Sequence, residues 1–145
     1  MADVELALLI DRFLRRIHTS LQAKAVSFDT EDVGPAGGMV LLTLAEMGRP
    51  EMHELTARFA RDKSQMTRVV KSLEKKGLVI KQTSERDARA SVVSLTPKGR
   101  DLVATLGQAL AESINDVLGP VSDAEKNQLK LIMQRVAGEE HAEES

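Results

Sequence analysis

Cysteine is absent from the 145 residues, and so are tryptophan and tyrosine. Without thiols the chain has no disulfide, no thiolate metal site and no cysteine-based redox chemistry, a composition compatible with a reducing cytoplasm. Aromatic residues are reduced to Phe13, Phe28 and Phe59, so a core must be built from Leu, Val, Ile, Ala and Met. No apolar run approaches the roughly 20 residues that span a bilayer. The start, MADVELALLIDRFLRR, does not read as a secretory signal, because Asp3, Glu5 and Asp11 interrupt its apolar stretch and no small-residue cleavage site follows. The expectation is a soluble, cytoplasmic, single-domain protein with no membrane partner and a frayed acidic tail, HAEES.

Chemistry-bearing constellations are also missing. No nucleophile–base–acid set or dinucleotide fingerprint is present, so neither an enzyme nor a cofactor is expected. His18, His53 and His141 have no partner at i, i+4 spacing, and no metal site is expected either. Gly34-Pro35-Ala36-Gly37-Gly38 lacks the lysine and preceding strand of a phosphate-binding loop, and reads better as a helix start.

What the chain does have is a division of charge. From Arg49 to Arg100 there are 13 Lys and Arg against 6 Asp and Glu, a net of +7, while the rest carries 7 against 16, a net of −9. The overall −2 thus conceals a basic module on an acidic body, and clustered positive charge points to nucleic acid.

The periodicity predicts six helices and a hairpin. Leu6, Leu9, Ile10, Phe13, Leu14, Ile17 and Leu21 mark a first helix over 3–26, long enough to need a partner along much of its length. A loop over Ser27–Gly34 leads to a second helix, with Pro35 at its first position, running to Met47. A third helix covers Met52–Phe59 and a turn falls at Ala60-Arg61. Asp62 is a predicted N-cap, paired with Gln65 as in a capping box, for a fourth helix that ends at Lys76-Gly77. Met66, Val69, Val70 and Leu73 of that helix face inward, and Ser64, Gln65, Thr67, Arg68 and Lys71 face outward. Residues 78–82 and 90–95 read as strands joined by a tip, Thr83–Arg89, too polar to be buried. Thr96-Pro97 opens a fifth helix with an apolar stripe from Leu102 to Leu118. Ser122 and Glu125 form a capping box for a sixth, with Leu129, Ile132, Met133 and Val136 inside. The fold class is therefore mainly α with a small β-hairpin wing: a helix-turn-helix followed by a wing.

A major groove admits one α-helix, and in a helix-turn-helix the N-terminal half of the second helix approaches base edges. Here that surface offers Gln65, suited to adenine, Arg68, suited to guanine, and Ser64 and Thr67, suited to bases or phosphate. Lys63 and Lys71 supply phosphate charge. At the tip, Arg86 and Arg89 flank Asp87, and an arginine on a narrow hairpin can enter a minor groove. Asp87 can hold a neighbouring arginine extended through a charge-assisted hydrogen bond. For Arg86 a solvated tip residue is the competing reading.

The run ELTARFARDKSQMTRVVKSLEKKGLV from Glu54, the DAR at 87–89 and the VSLTPKG at 93–99 resemble the MarR family, the multiple antibiotic resistance regulators, and the helix order extends the resemblance to nearly the whole chain. The resemblance implies a homodimeric winged helix-turn-helix with N- and C-terminal dimerisation helices (1–33 and 101–145) around a DNA-binding lobe (34–100). It implies a repressor of transcription that binds a palindromic double-stranded operator, with Arg89 in the minor groove, and that is relieved by a small aromatic or anionic effector. An effector pocket between the first, second and fifth helices would draw on Arg15, Arg16, His18, Phe28 and Met39. Two departures stand out. Gly37 and Gly38 replace the glutamine and aromatic that help wall the pocket in many relatives, so it is changed, enlarged or missing, and they permit close approach of either a helix or a ligand. Ser84 stands where many relatives carry an aspartate. The alternative reading is a winged helix that binds an acidic protein partner without nucleic acid.

Overall fold

The computed structural model describes residues 1–59 and 61–138. The elements are α1 (Val4–Phe28), α2 (Gly34–Met47), α3 (Met52–Ala57), α4 (Lys63–Lys75), β1 (Val79–Thr83), β2 (Ser91–Leu95), α5 (Pro97–Val117) and α6 (Asp123–Ala137). They form two compact units, one of residues 21–110 and one of residues 1–20 with 111 onward. The predicted turn at Ala60-Arg61 includes Ala60, and His141 and the acidic tail fall within 139–145; Ala60 and 139–145 lie outside the described residues.

The 21–110 unit is built around Leu41, Leu44, Leu55, Met66, Leu73, Leu78 and Val93, each at most 1% exposed. These come from α2, α3, α4 and the hairpin, so the helix-turn-helix and the wing share one core. α4 buries Met66, Val70 and Leu73, while Val69 packs at the edge of the cluster, as the apolar spacing predicts. β1 and β2 pair antiparallel from Val79↔Leu95 to Thr83↔Ser91, one residue beyond the expected strands at their starts.

The ends of these elements follow their caps. α2 begins at Gly34 rather than Pro35, because the Asp29 carboxylate accepts the Val33 and Gly34 N–H groups at 2.9 and 3.0 Å and Pro35 has no N–H to satisfy. α3 stops two residues before the expected Phe59: Arg58 and Phe59 N–H fold tightly onto the Leu55 and Thr56 carbonyls. α4 closes with the Leu78 N–H on the Leu73 carbonyl and the Gly77 N–H on the Glu74 carbonyl, each 3.0 Å, with Gly77 at φ +74°. This is a Schellman closure with its usual apolar contact between Leu73 and Leu78. Gly37 serves a close approach between helices, since a Cβ there would lie 3.4 Å from Leu73 of α4 and 3.0 Å from the Cβ of Val33.

In the other unit, the Ser20 hydroxyl donates to Ser113 at 3.1 Å, Ser113 being fully buried. α6 starts with the predicted Ser122–Glu125 capping box. Its apolar face departs from expectation. The spacing places Ile132, Met133 and Val136 inside, yet they are 52%, 49% and 79% exposed, and no residue of α6 is buried. Leu6, Leu9, Ile10 and Leu14 of α1 are likewise 48–58% exposed. Among the described residues of the single chain, these apolar side chains stay about half exposed or more. Among the described residues no helix is long and apolar enough to cross a membrane.

Gly99 is packed so closely that a Cβ would overlap the Leu78 carbonyl oxygen. Gly99→Ala is therefore expected to destabilise the protein by about 1–3 kcal/mol, the usual penalty for overfilling a tight site, despite alanine's better helix propensity of about 1 kcal/mol. Urea unfolding should show a lower midpoint at unchanged slope; an equal or higher midpoint would mean that the junction yields freely.

Candidate nucleic-acid interface

The outward face of α4 is arranged by its cap. Asp62 has extended backbone and its carboxylate accepts the Gln65 N–H at 2.8 Å. The Ser64 hydroxyl donates to the same oxygen. The cap thus holds the Gln65 backbone, leaving the Gln65 side chain exposed. The Ser64 hydroxyl, then the Gln65 N–H, keep the Asp62 carboxyl below the ordinary aspartate range. The Thr67 hydroxyl donates to the Lys63 carbonyl at 2.8 Å. With both hydroxyl protons committed to the protein, Ser64 and Thr67 present acceptor lone pairs outward. Lys63, Gln65, Arg68 and Lys71 are all exposed. The side chains chosen from the sequence thus share one solvent face, with Met66, Val70 and Leu73 turned into the core behind them.

In the wing the two arginines differ. Asp87 accepts the Arg89 N–H at 3.0 Å and lies 3.5 Å from its Nε, while the Arg89 side chain is 93% exposed. Asp87 thus holds the Arg89 backbone and lies near one edge of its guanidinium, which is otherwise open to solvent. Arg86 instead has its Nη2 3.5 Å from Glu51 Oε1 and from Glu54 Oε1, against the start of α3. The tip is also not uniformly exposed: Ser84 is only 6% exposed, because its hydroxyl donates to Glu51 at 2.9 Å. The general polarity of Thr83–Arg89 hides this, since a hydroxyl can be buried when its hydrogen bonds are met.

Sequence reasoning missed Glu51 altogether. It is the N-cap of α3, in a capping box with Glu54, and is 7% exposed. His53 Nε2 lies 2.6 Å from its Oε2. The bond from Ser84, followed by that from His53, holds the Glu51 carboxyl below the usual range. The E-x-x-E spacing before an apolar residue was the available signal, obscured because glutamate is an uncommon cap. Ligand atoms of Glu51, His53 and Glu54 lie within 4.8 Å of one another, a grouping that an i, i+4 search passes over. The positive charge beside these carboxylates is the Arg86 guanidinium.

Part of the basic charge is structural. Lys76 Nζ donates to the Glu31 carbonyl at 2.8 Å, and Lys98 Nζ donates to the Lys76 carbonyl at 3.0 Å and pairs with Glu31 at 3.3 Å. Of the expected effector residues, Arg15 and Arg16 line a cavity of about 620 Å³ together with Arg12, Thr19, Ser20, Asp116 and Val117. His18 is exposed and is not part of that lining. In the 21–110 unit, Phe28 packs against the core cluster and Met39 is 53% exposed. That unit has its own cavity of about 760 Å³ beside Leu44, Arg49, Gln82, Leu95, Arg100 and Val103.

Residues 36–91 match the model of the MarR family. The exopolysaccharide II synthesis transcriptional activator ExpG of Rhizobium meliloti is 35% identical over 105 residues, 72% of this chain and 54% of that protein, so the chain spans about half of this relative's length. Apo MarR from Escherichia coli superimposes with a TM-score of 0.77 at 20% identity, covering 91% of this chain and 96% of that one. A mutant of that protein in complex with operator DNA gives 0.72, also at 20% identity, over 92% and 94%. BpsR of Bordetella bronchiseptica, a structure concerned with regulation of DNA binding by 6-hydroxynicotinic acid, gives 0.71 at 21% identity over 90% and 91%.

The Asp62 cap has a pH signature. Its carboxyl is held below its ordinary range, so the cap stabilises above the unfolded pKa of about 3.9 and loses that contribution as pH falls through the lowered value. Asp62→Asn keeps a capping oxygen without the charge. Its stability deficit in denaturant titrations should be largest near neutral pH and vanish in acid; a deficit constant from neutral pH into acid would show that the charge contributes nothing.

Proposed function

The chain belongs to the MarR family of transcriptional regulators, and we propose that it binds double-stranded DNA as a homodimer at a palindromic operator and represses transcription there until a small aromatic or anionic molecule relieves it. The family is one of regulators rather than enzymes. The observation that carries the DNA reading is the shared exposed face of α4, where Gln65 and Arg68 are open to solvent, on the same compact unit as a wing whose Arg89 is 93% exposed.

In this reading the N-terminal half of α4 enters the major groove. Gln65 pairs with adenine and Arg68 with guanine, and Ser64 and Thr67 accept from base amino groups. Lys63 and Lys71 meet phosphates, and Arg89 enters the neighbouring minor groove, its backbone held by Asp87. Arg86, drawn toward Glu51 and Glu54, holds the wing rather than probing DNA. The exposed apolar faces of α1 and α6 would be covered by a second copy, since large unpartnered apolar patches mark association surfaces. Two copies give two recognition helices and hence a palindrome. The effector reading is supported by the BpsR structure and by the arginine-lined cavity at Arg12, Arg15 and Arg16, which suits an anion. The name of the Rhizobium relative, a transcriptional activator, favours a second reading in which bound DNA is activated rather than silenced.

Selection from random duplexes should recover a palindrome; failure to enrich any sequence at low salt would remove the DNA reading. On the recovered site, Arg68→Ala should cost about 1–3 kcal/mol, roughly five- to a hundredfold in affinity, and relax preference at one position. Lys63→Ala and Lys71→Ala should weaken all sequences alike and each lower the salt slope by about 1. Sedimentation should show a dimer that Leu14→Glu or Met133→Glu shifts toward monomer; a wild-type monomer at micromolar concentration would overturn the pairing.

A further inference from the structure

We propose that Glu51 and Ser84 are positioning residues that set the aim of the wing: a buried carboxylate at the start of α3 clasps the hairpin and fixes the direction in which Arg89 leaves it. The proposal rests on the DNA-binding reading above, in which Arg89 is the wing contact.

A two-stranded hairpin is marginal and twists readily. Backbone pairing here runs only to Thr83↔Ser91, with one further bond from the Ser84 N–H to the Ala90 carbonyl. The hairpin therefore needs a second attachment if its tip is to hold one direction, and the Pro50-Glu51 segment supplies it. The Val93 N–H donates to the Pro50 carbonyl at 2.9 Å, and Glu51 bridges to Val92. The side chains complete the hold. Glu51 Oε1 accepts the Ser84 hydroxyl, and the Ser84 oxygen accepts the Arg86 N–H at 3.2 Å. The Arg86 guanidinium returns to Glu51 and Glu54. Glu54 in turn accepts the Glu51 N–H at 3.0 Å, and His53 occupies the other Glu51 oxygen.

Ser84 is the relay in this network. It donates to Glu51 and accepts from the backbone of Arg86, three residues before Arg89. Both Glu51 and Ser84 are more than nine-tenths buried, so the carboxylate is shielded from the solvent that weakens surface pairs. Their identities are matched. An aspartate at position 84 would set a second carboxylate against Glu51, whereas a serine gives it a donor. Neither residue reaches the outward face of α4, so their effect on DNA is exerted through Arg89, and contacts of that kind must be held to about 0.5 Å and 10–20° to be effective.

The test uses the full chain, the selected operator, and a second duplex with G·C pairs in place of A·T under the wing. Ser84→Ala should reduce the preference between the two duplexes about as much as Arg89→Ala, roughly tenfold, with preference at the positions read by α4 unchanged. Ser84→Thr should restore it, Ser84→Asp should not, and Ser84→Ala/Arg89→Ala should be no worse than Arg89→Ala alone, because one residue acts through the other. Additive losses, or an equal loss on both duplexes, would overturn the proposal. Amide hydrogen exchange on the free protein is an independent measurement: Ser84→Ala should speed exchange across 83–91 and leave α4 unaltered. Unchanged wing exchange would refute the clasp, and failure to select any duplex would refute the DNA reading while exchange still decides for or against the clasp.

Discussion

Helix α4, the wing and the start of α5 are all fastened at one junction, where Gly77-Leu78 meets Thr96–Gly99. The Thr96 N–H donates to the Leu78 carbonyl at 3.1 Å, its hydroxyl donates to the Gly77 carbonyl at 2.6 Å, and the Gly99 N–H donates back to that hydroxyl at 3.0 Å. One threonine thus caps α5 and satisfies the backbone left open at the end of α4. Gly99 is required because α5 approaches the Leu78 carbonyl too closely for any side chain. Buried backbone groups must be paired, so the exit from α4, the root of β1 and the entry to α5 cannot shift independently. The direction of α4 relative to the wing follows from this, and the core beneath α4 stiffens the arrangement.

Much of this was legible. Asp62, Gly77, Thr96-Pro97 and Ser122 carry strong local preferences, and each marks an element end within a residue or so. The inward face of α4 follows from its apolar spacing alone. The four-residue motif from Leu95 to Lys98 together with Gly99 points to a family, while its physical meaning, a shared cap and a glycine contact, needs the three-dimensional arrangement. What stayed hidden depends on residues far apart in sequence. Glu51 and Ser84 are 33 residues apart, and neither type announces burial. Spacing likewise shows that α1 and α6 have apolar faces but not what covers them, so it assigns to an interior side chains of α6 that are exposed among the described residues.

Some cations of the basic module are tied to the fold by hydrogen bonds or ion pairs. Lys76 and Lys98 hold the loop before α2 through Glu31, and Arg86 holds the wing through Glu51 and Glu54. Arg68, Lys63, Lys71 and Arg89 remain exposed. Arg49, Arg61, Lys75, Lys81 and Arg100 are exposed as well, so most of the positive charge behind the net of +7 lies at the surface.

The acids of the module carry the same logic further. In the proposed DNA complex, carboxylates near α4 and the wing would oppose phosphates, so their presence needs a reason. Asp62 supplies the α4 cap, Asp87 holds the Arg89 backbone N–H, and Glu51 and Glu54 close the α3 cap beside Arg86. Four of the six acids between Arg49 and Arg100 thus bond a nearby N–H or guanidinium. Each gives up some long-range attraction and in return fixes a backbone or a cation before any partner arrives. At physiological ionic strength a charge is felt over only about 8 Å, so each of these carboxylates acts chiefly on the backbone or cation it already bonds.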